Sequence, residues 1–83
     1  MISFTVDGVE YRAFNHLYAF SRCGKVLRKH RPYAPTKHPG GYLWVSNILV
    51  HRGVARCWME DFDPAKHIHH INEDKTDNRL ENL

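Results

Sequence analysis

Three histidines within four residues, His67, His69 and His70, precede a run of carboxylates and amides in the last part of the chain. Imidazole nitrogens and carboxylate or amide oxygens bind divalent metals, and a neutral imidazole can take a proton from water near neutral pH. If residues 67–71 form a strand, His67 and His69 share one face and His70 points to the other. One histidine could then hold a metal while its neighbour approaches a water molecule. Clustered surface histidines are common, so the cluster alone is a weak signal.

The spacing of the polar residues after His70 is more informative. The run reads His69-His70-Ile71-Asn72, Asp74-Lys75, Asn78-Arg79-Leu80 and Asn82-Leu83. It resembles the motif of HNH endonucleases of the phage and intron-encoded homing type. Upstream, residues 50–58 resemble the family segment Val-His-Arg-Leu-Val-Ala-x-x-Phe, and residues 18–26 resemble the module Tyr-x-Val-Ser-x-x-Gly-x-Val that often precedes such domains. The resemblance spans residues 18–83, and its C-terminal part is the most specific.

The resemblance implies a ββα-metal fold and gives individual residues a role. His70 matches the histidine that acts as general base on the attacking water, and His69 matches the metal ligand before it. Asn82 matches the central asparagine, which holds the loop and orients the base, whereas residues 78–80 match a turn with a structural role. The implied cofactor is a divalent metal ion, Mg²⁺ first, with Mn²⁺ and Zn²⁺ as alternatives. The implied partner is double-stranded DNA.

The sequence also departs from the family pattern. His69 stands where Asp is commonest, Glu73 where Gly is frequent and Asp77 where Asn is usual. In the family a second strand begins near the position of Leu83, and the helix after it supplies the last metal ligand, His or Asn. We therefore expect the ββα-metal motif to be incomplete within these 83 residues, which would leave this chain without activity on its own.

Charge is divided unevenly along the chain. Residues 1–56 carry nine Lys and Arg against two acidic residues, a net charge of +7, whereas residues 57–83 carry three against seven, a net charge of −4. A basic body joined to an acidic, histidine-rich end suits a protein that grips a polyanion and holds a cation, although an ordinary solvated surface can show the same asymmetry. The residues expected to contact DNA phosphates are Arg28, Lys29, Arg31, Lys37, Arg52 and Arg56.

The residues upstream of the histidines predict short hairpins. Asp7-Gly8 is a preferred type I′ turn between two alternating runs, so Val6 should face Val9 and Phe4 should face Tyr11. Residues 18–20 and 25–28 flank a second turn, residues 29–40 read as a basic loop without periodicity, and residues 41–46 and 48–50 look like strands.

A short helix is predicted near residues 51–59. Val50, Val54, Cys57 and Trp58 fall on one helical stripe, a pattern typical of a helix that packs on a core. Arg52 and Arg56 lie four residues apart on another face, from which they could touch phosphate.

Together these patterns predict an α+β chain of one small domain. Residues 1–58 should form a basic, β-rich region for DNA binding and packing, with the helix near 51–59, and residues 59–83 should form the N-terminal part of the HNH motif. No signal peptide or membrane-spanning run is visible, and the two cysteines read as free thiols, although one disulfide stays open. We expect a cytoplasmic location in a bacterial host, with a phage gene as the alternative source.

The predicted function is that of a metal-dependent HNH homing endonuclease, which nicks or cuts phosphodiester bonds of double-stranded DNA. The alternative is a truncated, non-catalytic relative that binds DNA or a protein partner. A purely structural zinc site is disfavoured, because neither cysteine lies near the histidines in the sequence.

Overall fold

Two antiparallel sheets, one α-helix and a C-terminal loop make up the computed structural model, which describes residues 2–83. The first sheet has the order β1-β2-β3-β4-β5 and the second the order β6-β7-β8. The α+β class is confirmed. The elements are β1 (Ser3–Val6), β2 (Val9–Ala13), β3 (Tyr18–Ser21), β4 (Val26–Arg28), β5 (Arg31–Pro32), β6 (Thr36–Lys37), β7 (Leu43–Val45), β8 (Ile48–Leu49), α1 (Val50–Trp58) and a 3₁₀ turn (Leu80–Asn82).

The register of the first hairpin follows from its turn. Asp7 and Gly8 have φ values of 51° and 78°, as a type I′ turn requires. Val6 pairs with Val9 and Phe4 pairs with Tyr11, as the sequence predicts. The rings of the second pair stack with their centroids 6.3 Å apart, so the alternating apolar residues meet on one face of the sheet.

The helix α1 packs on β3, which is buried along its whole length. Val50, Val54 and Cys57 of the predicted stripe are buried, and Trp58 donates a hydrogen bond from its indole nitrogen to the carbonyl of Phe20 at 2.8 Å. The predicted helix is therefore confirmed, with its start and end one residue earlier than expected.

The large side chain of Phe20 on β3 packs against Gly53 on α1, which has no side chain. Phe20 is fully buried, and a Cβ atom built on Gly53 would overlap its ring. The family patterns quoted above have Val at the position of Phe20 and Leu at the position of Gly53. In this chain the aromatic ring therefore takes up space that the helix side chain leaves free, which keeps the core at close-packed density.

Two expectations about secondary structure were wrong. Residues 29–40 are not a plain loop, because they contain β5 and β6, each two residues long and paired to a neighbouring strand. Residues 67–71 do not form a strand. Residues 67–70 have no regular secondary structure, and a turn begins at Ile71, where the amide of Glu73 bonds to the carbonyl of His70, 2.9 Å away. The amide of Ile71 bonds to the carbonyl of Asn82, 2.8 Å away, near the end of the chain.

Both cysteines lie within residues 2–83, which the structure describes. Within this part of the chain Cys23 is exposed, Cys57 is buried and both are free. Burial raises the pKa of the Cys57 thiol to about 11, so it stays protonated at neutral pH. The described part of the chain has no helix with the length and hydrophobicity needed to cross a membrane.

Candidate active site

His70 lies in a small cluster of rings contributed by three parts of the chain. Its ring centroid is 4.9 Å from that of His51 on α1 and 6.0 Å from that of Tyr42, which precedes β7. The rings of Tyr42 and His51 are themselves 5.1 Å apart. Only 5% of His70 is exposed, so packing restricts the orientation of its ring.

The imidazole of His70 is held by one hydrogen bond from within its own loop. Its Nε2 lies 2.8 Å from Oδ1 of Asn78, and both residues are buried. An amide oxygen can only accept a hydrogen bond, so Nε2 must carry the proton of the neutral ring. The lone pair of the neutral ring is then on Nδ1, which is the arrangement that a general base needs.

Asn82 ties the two ends of the loop together. Its Nδ2 donates to Oδ1 of Asn72 and to the carbonyl of Asp77, each at 2.9 Å, and its Oδ1 accepts from the amide of Asn72 at 3.1 Å. The side-chain partner of His70 is thus Asn78, while Asn82 acts on the loop backbone. The sequence assigned Asn78 only a packing role, and its spacing of eight residues from His70 was the one available signal.

The carboxylates of Asp74 and Asp77 accept hydrogen bonds from other residues of the same loop. Asp77 accepts two hydrogen bonds of 2.7 Å from Arg79 and one of 2.9 Å from Asn72, and the bonds from Arg79 hold the pKa of Asp77 far below its usual range. Hydrogen bonds from Thr76 likewise lower the pKa of Asp74. Both groups serve to order the loop, which places His70 and Asn78 at a fixed separation.

His69 is exposed and lines a shallow pocket of about 320 Å³ together with His70, Glu73 and Lys75. Lys75 donates to the carbonyl of Gly40 at 3.1 Å and lies 4.8 Å from the ring of Tyr42, which also lines the pocket. The pocket therefore places the ammonium of Lys75 and the carboxylate of Glu73 beside the candidate base, and the ammonium is the group there that could contact a phosphate.

The donor set does not complete a metal site. In residues 2–83 no three His, Cys, Asp or Glu side chains lie where they could hold a metal ion together. His69 shares the pocket with His70 and Glu73 but lacks the further ligands that enclose a divalent cation.

His51 is a residue of the site that the sequence prediction missed. It is buried, and its Nδ1 has no hydrogen-bond partner among residues 2–83. Burial, the neighbouring His70 and Arg52 together lower the pKa of His51 to about 4. The ring against which His70 packs is therefore neutral at physiological pH.

The six candidate DNA contacts lie on β4, β5, β6 and α1 and in the turn between β4 and β5. Arg28, Lys29 and Arg31 surround the turn between β4 and β5, where Lys29 and His30 both have positive φ. Lys37 is exposed on β6. On α1 Arg52 donates to the carbonyl of Pro64 at 2.9 Å, and the guanidinium of Arg56 lies 5.0 Å from the ring centroid of Phe14. The structure thus places these cations on both sheets and on the helix.

The chain is similar to an uncharacterized HNH endonuclease of Acanthamoeba polyphaga mimivirus, with 30% identity over 79 residues. The similarity supports the HNH resemblance. It covers 83% of this chain and 24% of that protein, so the chain spans about a quarter of its relative's length. No family model matches the chain, and no solved structure matches it.

Proposed function

We propose that this chain carries the general base of an HNH endonuclease that hydrolyses phosphodiester bonds of double-stranded DNA. The proposal depends above all on one observation, the buried His70 whose Nε2 lies 2.8 Å from Oδ1 of Asn78. That hydrogen bond leaves Nδ1 as the proton acceptor. The similarity to a protein named as an HNH endonuclease adds independent support.

In the proposed reaction one residue of this chain accepts a proton from water and another stabilises the charge on the phosphate. Nδ1 of His70 takes a proton from a water molecule, and the resulting hydroxide attacks phosphorus. The bond from phosphorus to the 3′-oxygen then breaks, and the leaving 3′-oxygen takes a proton from a solvent water molecule. The ammonium of Lys75, which lines the same pocket, offsets part of the charge on the phosphate oxygens. Asn82 keeps the loop closed while this happens, because it spans Asn72 and Asp77.

The proposal assigns one metal ligand to this chain and does not assign a complete metal site. We propose His69 as one ligand of a divalent ion, Mg²⁺ first, because it is exposed in the pocket beside His70. The residues of 2–83 do not supply a complete set of ligands, so they do not fit a self-sufficient metal centre. That the enzyme is of the homing type is a prediction that rests on the motif resemblance.

A second candidate function is a module that binds DNA without cutting it. The exposed cations Lys29, Arg31 and Lys37 favour binding whether or not the loop is catalytic. Both functions predict affinity for duplex DNA, and only the first predicts cleavage.

A cleavage assay on supercoiled plasmid distinguishes the two functions. We would incubate the plasmid with Mg²⁺ or Mn²⁺ and either the 83-residue chain or this chain extended by the strand and helix that complete the family motif. Nicked or linear product from the extended protein, absent when EDTA is added, supports the nuclease. Binding in gel-shift assays with no cleavage by either protein would support the module and contradict the nuclease.

A further inference from the structure

The turn between β3 and β4 packs directly on the loop that holds His70. The amide of Leu80 donates to the carbonyl of Arg22 in this turn at 2.7 Å. A Cβ atom built on Gly24 would lie 3.2 Å from Cβ of Asn78 and 3.3 Å from the carbonyl carbon and oxygen of Asn78. These separations are tighter than those of ordinary van der Waals contacts, so a side chain at position 24 would require Asn78 to move by a few tenths of an ångström.

Two features connect this contact to the orientation of the His70 ring. Gly24 has a φ of +90°, a conformation that other residues rarely adopt, so the path of the turn depends on glycine here. Asn78 is buried on the far side of the contact, and its Oδ1 faces Nε2 of His70 at 2.8 Å. A shift of the Asn78 backbone would therefore move the oxygen that fixes the His70 ring.

We propose that Gly24 and Asn78 are positioning residues for the general base. The β3–β4 turn sets where the backbone of Asn78 lies, and the amide oxygen of Asn78 then sets the tautomer and ring orientation of His70. This inference rests on the proposed role of His70, and it makes the N-terminal sheet part of the catalytic machinery as well as a packing surface. Because a misplacement of about 1 Å can cost about 10²-fold in rate, a smaller displacement of the ring should lower the rate by less.

The inference is tested first by NMR of the His70 ring, which does not require cleavage. In the wild-type chain the ring should show a proton on Nε2 that exchanges slowly with solvent. Gly24→Ala should shift this signal or speed its exchange, because the new methyl group displaces Asn78. Gly8→Ala is the matched control, since Gly8 also has positive φ (78°) but no atom of residues 2–83 lies within 4 Å of its built Cβ. Both variants place an alanine at a positive φ, and only Gly24→Ala touches Asn78.

Variants at Asn78 test the second step. Asn78→Leu removes the acceptor, whereas Asn78→Asp keeps an acceptor oxygen in a side chain of the same shape. In the nuclease we expect Asn78→Leu to lower kcat by about 10–100-fold with KM for DNA unchanged, and Asn78→Asp to recover most of that loss. Gly24→Ala should lower kcat by about 10-fold, and Gly8→Ala should leave it unchanged.

Each outcome is decisive for this inference. His70 signals that are the same in Gly24→Ala and Gly8→Ala would overturn it, as would a wild-type ring protonated on Nδ1. If Asn78→Leu does not fold, the glycine pair still decides the question. An extended wild-type protein that cuts no DNA would overturn the proposed function instead, and the ring signals would still show whether Gly24 and Asn78 position His70.

Discussion

His51 places a neutral imidazole against the candidate base. Its Nδ1 is buried without a partner in residues 2–83, and the charged or titratable groups that face it are His70, Tyr42 and Arg52. A buried ring of this kind resists protonation, because the charged form would lose its hydration and gain no hydrogen bond. The consequence is a dependence of stability on pH that can be measured.

The stability of the chain should fall between pH 6.5 and pH 4 because of His51. Its pKa is about 4 in the folded chain and 6.5 when unperturbed, so in this window the unfolded chain binds the extra proton. We expect the free energy of unfolding to drop by about 2–3 kcal/mol from this group as pH falls from 7 to 4. Urea titrations at pH 7, 5.5 and 4.5 measure it.

The control separates His51 from other titrating groups. His51→Phe should flatten the dependence, whereas His67→Gln, at an exposed histidine, should leave it intact. Asp74 and Asp77 have lowered pKa values, so the stability that they contribute is lost only at lower pH. Equal slopes for wild type and His51→Phe would contradict this explanation.

Metal binding by the 83-residue chain should be weak. His69 is exposed and lacks the partners that enclose a divalent ion, and one imidazole alone binds such ions poorly. In calorimetry with Mn²⁺, His69→Ala should remove the weak signal, and His67→Ala should not. Tight, stoichiometric binding by residues 1–83 would mean that the ligands are elsewhere.

The sequence predicted some features of the site and could not predict others. Strand alternation predicted that His69 and His70 point to opposite faces, but these residues do not form a strand, and the burial of His70 beside an exposed His69 was not predicted. The bond between His70 and Asn78 depends on how the loop closes, and His51 reaches the site only through packing of α1. The spacing of His70 and Asn78 was visible in the sequence but did not reveal their hydrogen bond, and the proposed catalytic roles remain predictions.

At the scale of elements, the packing of β3 on α1 depends on a matched pair of residues. Phe20→Val should open a cavity and cost about 2–4 kcal/mol, and Gly53→Leu should force its side chain into the Phe20 ring. The double variant restores the pair found in the family pattern, so we expect it to be more stable than the sum of the single changes by at least about 1 kcal/mol.

Urea denaturation of the four proteins completes this double-mutant cycle. Gly8→Ala with Phe20→Val serves as the control pair, because Gly8 lies away from the ring and its effect should simply add. Strict additivity for Phe20 and Gly53 would show that the two residues do not share one space.

The elements that could be predicted are those with local signals. Asp7-Gly8 dictates a turn and thereby the register of a hairpin, and the stripe from Val50 to Trp58 dictates a helix. β5 and β6 have two residues each, too few for any periodicity, and they exist because neighbouring strands pair with them. Their pairing depends on the folded sheets, which a local pattern does not contain.

At the scale of the whole molecule, the uneven charge predicts salt-dependent binding to duplex DNA. The basic turn between β4 and β5 is a candidate for phosphate contact, with Arg31 exposed at its edge. We expect Arg31→Gln to weaken binding and to reduce the slope of log affinity against log salt by about 1. Lys66→Gln, an exposed cation in the acidic part of the chain, should leave both unchanged. Fluorescence anisotropy at several salt concentrations measures the slopes, and equal effects of the two changes would indicate a merely basic surface.

Whether His70 is the base of a nuclease can be measured by plasmid nicking with the extended protein. His70→Ala removes the base, and His70→Gln also does so while keeping an amide that can donate to Asn78. Because His70 is buried, both variants are compared with wild type at equal folded fraction, measured by thermal melts. We expect both variants to lose about 10²–10⁴ in nicking rate, with DNA affinity unchanged. Nicking near the wild-type rate by either folded variant would contradict this expectation.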